Sequence, residues 1–95
     1  MELIANEWTL ARKRRAFQAF LMQILLELTQ ALRDRLGVIA DEESRRDPLR
    51  HTKRLKEVSE RIELLEQQLP PTIDPQLRHF LQRRSYGKAL ELLTR

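Results

Sequence analysis

Apolar residues recur along the first third of the chain at helical spacing. At 100° per residue, Leu10, Phe17, Leu21, Ile24, Leu25, Leu28 and Leu32 share one face. Ile4, Trp8, Met22 and Leu26 form a second stripe, centred more than about 90° from the first, and Gln23, Glu27, Gln30 and Asp34 make the polar face. No proline or glycine interrupts the pattern before Gly37, which stands with Val38 where a left-handed C-terminal cap and its apolar contact belong. The pattern predicts a long helix over about 5–36. Its apolar arc is too wide for one partner helix, so either two further helices or a second copy of the chain must cover it.

Residues 38–47 read as a polar connection that ends on a restart signal. Asp47 is a good N-cap, and Pro48 suits the first helical position, where its missing N–H is not needed. The second helix is predicted over 48–69 and stops at Pro70-Pro71. Leu55, Val58, Ile62, Leu65 and Leu69 give it a heptad seam of the coiled-coil kind. Lys53–Glu57, Lys56–Glu60 and Glu57–Arg61 are i,i+4 pairs that keep its outer face polar. Asp74-Pro75 repeats the restart, with Leu77, Phe80 and Leu81 facing inward. The pattern weakens at residues 83–87 and resumes at 88–93, which predicts a hairpin of helices over about 75–84 and 86–94 with Ser85 capping the second. One continuous helix over 75–93 is the competing reading. The whole is an all-α, elongated helical bundle of one domain, 1–95, helical for about 70–80% of its length, with breaks at 37–47, 70–74 and 84–87.

The stretch Phe80-Leu81-Gln82-Arg83-Arg84-Ser85-Tyr86-Gly87-Lys88-Ala89-Leu90-Glu91-Leu92-Leu93 resembles the turn between the two helices of a tetratricopeptide repeat. In that family an aromatic residue after the turn and a small one three positions later let the helices approach closely. Tyr86 and Ala89 match those positions, while Arg84 stands where the family has glycine. No second copy follows at the family's period, and a lone unit builds no peptide groove. The resemblance therefore implies a tight αα-hairpin and not membership.

Composition supports the helical reading. Leu supplies 18 residues, against 12 from Val, Ile, Phe, Tyr and Trp together. The absence of cysteine excludes disulfides, thiolate zinc sites and cysteine nucleophiles, and two glycines leave no glycine-rich phosphate loop. The net charge of +4 is ordinary for a soluble domain. Residues 12–15 (Arg12, Lys13, Arg14, Arg15) form the one dense basic run, ahead of an apolar stretch at 16–28. That order resembles a secretory signal, yet Gln18, Gln23 and Glu27 interrupt the stretch, Glu2 and Glu7 precede the basic run, and no cleavage site is evident. The stretch is also shorter than the roughly 20 residues a bilayer span needs. The expectation is a soluble cytoplasmic protein without a membrane segment.

Few residues suggest chemistry. His51 and His79 have no partners at metal-ligand spacing, the acidic residues 41–43 lie in a solvated connector, and no Ser/His/Asp arrangement is readable. No catalysis and no cofactor are expected. Four consecutive residues sweep around a helix, so 12–15 cannot form one stripe; Arg14 points along the main apolar face. Pairing with the acids at 41–43 is one expected fate of this run. A helix of this length, with two apolar stripes and little chain to cover them, points to a small interaction or adaptor protein, either a homodimer or part of an obligate partner complex. Trp8, Met22 and Leu26 are the candidate interface, because Trp and Met are favoured at interface cores. The alternative is a nucleic-acid-binding or regulatory protein that contacts phosphates or an acidic partner through Arg12, Lys13, Arg14, Arg15, Arg83, Arg84 and Lys88. A small-molecule site among the apolar residues of the first helix is a third, weaker reading.

Overall fold

The structure, a computed structural model, describes the backbone of residues 2–95 and the side chains from Glu7 onward, so the side chain of Ile4 lies outside the described residues. The protein is 84% helical, with no strand among the described residues. Its elements are α1 (Glu2–Ala40), α2 (Glu42–Arg45), α3 (Pro48–Gln68), α4 (Pro75–Gln82) and α5 (Tyr86–Leu93). The molecule measures 68 × 22 × 20 Å. Its long dimension follows from α1, whose 39 residues span about 58 Å at 1.5 Å per residue.

Gly37 does not end α1, contrary to the sequence expectation. No glycine has positive φ, and the helix continues through Gly37 to Ala40, burying Val38 on the way. Burial of that side chain outweighs a glycine that has no need of the left-handed region. The stop comes at Asp41, whose carboxylate accepts the Ser44 N–H at 3.2 Å and opens α2. The connection expected at 38–47 is thus largely helical. A Cβ on Gly37 would meet nothing within 4 Å. Gly37→Ala should therefore stabilise the protein by about 0.5–1 kcal/mol, read as a higher denaturant midpoint.

α3 begins as its sequence requires, with the Asp47 carboxylate accepting the Arg50 N–H at 3.2 Å and Pro48 in the first turn. Leu69 turns extended ahead of Pro70 and ends it. α3 runs antiparallel to α1: Arg54 pairs with Asp41 at 2.9 Å, and Arg61 with Asp34 at 3.3 Å. Of the three i,i+4 pairs, only Lys56–Glu60 closes among the described residues, at 3.9 Å, because Arg61 turns to α1 instead. Ile62, Leu65 and Leu69 of the heptad seam are buried, whereas Leu55 and Val58 are half-buried toward the α2 end.

The C-terminal segment is a hairpin and not one helix. The Arg84 N–H donates to the Leu81 carbonyl at 3.1 Å, and the Ser85 N–H to the Phe80 carbonyl at 2.8 Å. This pair of bonds is a Schellman closure, and Arg84 holds its left-handed residue at φ 56°. The position that resembles the repeat family's glycine therefore has a glycine's conformation. Ser85 stands at the N-cap of α5, but its side chain makes no capping bond. Left-handed φ costs a non-glycine residue about 1–2 kcal/mol. Glycine there would lose only the exposed Arg84–Glu63 pair, at 3.1 Å, and some unfolded-state restriction. Arg84→Gly should thus stabilise by about 0.5–1 kcal/mol, measurable in urea.

The core joins Ile24, Leu28, Ala31 and Leu32 of α1 to Ile62 and Leu65 of α3, Leu77 and Leu81 of α4, and Tyr86 and Ala89 of α5. Leu69 and Ile73 close it from the linker between α3 and α4. α5 also runs antiparallel to α1. Tyr86 at its start lies under the Arg35 guanidinium, 5.0 Å from the ring centroid, and Leu92 and Leu93 at its end lie beside Leu21 and Leu25. Leu10 and Phe17, expected on the same core face, are exposed. α3 to α5 are too short to reach them.

Candidate interaction surface

α1 outruns its own cover. Across residues 7–20 every side chain is exposed except that of Ala11, which is half-buried. An isolated helix of about 12–15 residues is marginal in water, so this overhang is helical without packing to support it. It continues the core pattern nonetheless. Leu10, Arg14, Phe17, Leu21, Ile24 and Leu28 follow one another at spacings of 4, 3, 4, 3 and 4. From Leu21 onward the rest of the chain packs on this seam; from Phe17 back to Leu10 no described residue does. The seam's apolar residues were legible in the sequence, but where its cover stops depends on the lengths and placement of α3, α4 and α5.

Where α1 emerges from the bundle, Leu21, Leu25, Ile73, Leu77, Leu92 and Leu93 line an open apolar groove of about 360 Å³, with Asp74 on its rim. Asp74 is placed there by its capping role, its carboxylate accepting the Gln76 N–H at 2.8 Å. No sequence signal marked this groove, because its walls come from three separate parts of the chain. The second stripe is equally open. Trp8, Met22 and Leu26 are 61, 60 and 59% exposed, and Phe20 is exposed as well.

The basic residues share the overhang. Arg12, Lys13, Arg14 and Arg15 are all exposed and form no ion pair among the described residues. The Arg12 guanidinium lies 4.1 Å from the centroid of the Trp8 ring, one turn away. The expected pairing of this run with residues 41–43 does not occur. Those acids sit at the other end of α1, about 40 Å away along the helix, and Asp41 is taken by Arg54. Arg83 and Lys88 are exposed, and Arg84 pairs with Glu63. Because the start of α5 lies at Arg35, the hairpin's basic residues and the run at 12–15 are separated by roughly 30 Å of helix. The structure does not bring the two basic groups into one patch.

A polar corner joins α2 to α3. Ser44 is buried, and its Oγ is hydrogen-bonded to His51 Nδ1 at 3.1 Å. The hydrogen bond from Arg54, then that from the Ser44 N–H, holds the Asp41 carboxyl below its ordinary value. Asp41 therefore supports the corner at neutral pH, and that support fades as pH falls through its depressed pKa. Arg45 adds a hydrogen bond to the Ile39 carbonyl. The Ser44–His51 contact escaped the sequence reading because the two residues are seven apart across a turn. Asp41 faces Arg54 and a backbone N–H rather than the imidazole.

His79 is exposed, its ring 6.0 Å from that of Phe80. Among the described residues no group of three acidic or histidine side chains is placed to hold a metal ion, and no helix is long and apolar enough to cross a membrane. Set against known proteins, the chain matches no family model, no curated protein and no solved structure.

Proposed function

We propose that the protein is a small, non-catalytic interaction or adaptor protein that works through the exposed apolar surface of α1, as a homodimer or in an obligate partner complex, in a soluble cytoplasmic setting. One observation carries this reading: the overhang presents Trp8, Leu10, Phe17 and Phe20, continued by Met22 and Leu26, all exposed among the described residues. Soluble monomers rarely leave a contiguous apolar patch larger than roughly 300–600 Å² uncovered. The intramolecular core uses Ile24, Leu28 and Leu32, which leaves both overhanging stripes free to bind without unfolding the bundle.

Light scattering across a concentration series tests the reading, with one charged variant for each stripe. Phe17→Glu loads the first, and Met22→Glu with Leu26→Glu loads the second. Association of the wild type, reduced in at least one variant whose circular dichroism stays helical, supports it. A monodisperse wild-type monomer at high concentration counts against self-association, and variants that unfold outright would place these stripes in the core.

The exposed cations at 12–15, which form no ion pair among the described residues, favour nucleic-acid binding as a second reading. A phosphate binder loses affinity steeply between low and moderate salt, whereas an apolar interface hardly responds, so one salt titration separates the two.

A further inference from the structure

We infer that the cleft between α3 and the α4–α5 hairpin binds a free α-amino acid with a polar side chain, its ammonium held at Glu66 and its carboxylate at Arg78. The cleft is open and measures about 530 Å³, within the range of small-molecule sites. Tyr86 on its wall lies at Arg35, about 20 Å along α1 from Met22, so this inference and the proposed role of α1 in association can fail separately. Charge pairing carries the inference. Where α3 runs along α1, opposite charges close on each other, Asp41 on Arg54 and Asp34 on Arg61. In the cleft Glu63 closes on Arg84 at 3.1 Å. Glu66 and Arg78 also line it, both half-buried, and neither forms an ion pair among the described residues.

A ligand of one sign would satisfy one of these two charges and repel the other, whereas a zwitterion satisfies both. Arg78 donates one N–H to the Pro70 carbonyl at 2.9 Å, which fixes its guanidinium and leaves further N–H groups for a carboxylate. Tyr86 adds a neutral contact. It is only 7% exposed, and no buried side-chain oxygen among the described residues lacks a partner, so its hydroxyl opens onto the cleft that it lines. Arg84 sets the balance of charge. Its left-handed backbone suits glycine, yet an arginine stands there and cancels Glu63. The cleft thus keeps a free carboxylate at Glu66 and a free guanidinium at Arg78. The exposed amides of Gln67 and Gln82 offer donors and acceptors to the ligand's side chain.

Tyr86 is the sole tyrosine, so its ring resonances report directly on occupancy of the cleft. Titration with L-glutamine should shift them saturably in the wild type. Glutaminamide, which lacks the carboxylate, and N-acetylglutamine, which lacks the ammonium, should each bind about tenfold more weakly or worse. Glu66→Gln should raise the dissociation constant for L-glutamine on the order of tenfold while leaving the urea midpoint in place. Arg84→Gly separates charge from folding, because it is expected to be more stable than the wild type. It frees Glu63, so that two carboxylates face the Arg78 guanidinium. Its preference should therefore move from L-glutamine toward glutaminamide. Wild-type resonances that do not respond to L-glutamine, or that respond alike to all three compounds, overturn the inference. A folded Arg84→Gly protein that keeps the wild-type preference overturns it as well.

Discussion

Leu28→Ala is expected to cost about 3–5 kcal/mol and Ile62→Ala about 2–5 kcal/mol, a large loss in each case. Both side chains are fully buried, Leu28 in α1 and Ile62 in α3. Antiparallel packing of these two helices is the principal long-range contact of the fold, so neither cavity can close by a small shift of a loop. For a domain with a total stability of roughly 5–15 kcal/mol, either change removes a large part of it and lowers the midpoint in urea accordingly. Leu25 belongs to the same sequence stripe and would be expected to behave alike, yet it is only half-buried on the groove wall. Its replacement by alanine should cost about 1–2 kcal/mol in dilute solution. Gln23→Ala, on the exposed polar face, should stay within about 0.5 kcal/mol. Equal losses from Leu25 and Leu28 would show that the groove is covered in solution, so the series is best measured at several protein concentrations.

The contrast between Leu25 and Leu28 shows how far the sequence could be read. Periodicity located the apolar face of α1, because side-chain direction on a helix is a local property of the backbone. It could not say that cover ends at Leu21, since that depends on where α3 stops and where the linker through Ile73 turns back. Boundaries set by local chemistry were equally legible: Asp47-Pro48 and Asp74-Pro75 open α3 and α4 at the expected residues. Gly37 misled for the opposite reason. A glycine permits a left-handed cap without requiring one, and Val38 one residue later had a buried site to fill. At the interaction surface, Trp8, Met22 and Leu26 could be picked out as a stripe apart from the core face. The groove and Asp74 could not, because tertiary packing alone brings α1, the linker and α5 together.

Ala89→Leu should cost about 1–3 kcal/mol and should act by displacing α5 rather than by loosening the whole bundle. Ala89 is completely buried, as is Ala31 of α1 in the same cluster, so no space for a longer side chain exists on that side. α5 has eight residues, of which only Tyr86 and Ala89 are fully inside. With so few anchors, the helix relieves an overpacked Ala89 by leaving α1, and Tyr86 must leave with it. Tyr86 is the sole tyrosine and so reports on this directly. Burial, the main influence on it, pushes the Tyr86 phenol above its ordinary value of 10.0 in the folded protein. The proton is thus held more tightly when α5 is docked, and the corresponding stability is present below pH 10.0 and lost as pH rises through the folded value. In an alkaline absorbance titration, Ala89→Leu should bring the phenol back toward its ordinary value while most of the helical signal remains. Ala89→Gly, which adds no volume, should lower stability by about 1–2 kcal/mol through helix propensity and the lost buried methyl, and leave the Tyr86 titration where it is in the wild type. A Tyr86 titration that moved equally in both variants would mean that α5 is held by its helical propensity and not by the close approach that Ala89 permits.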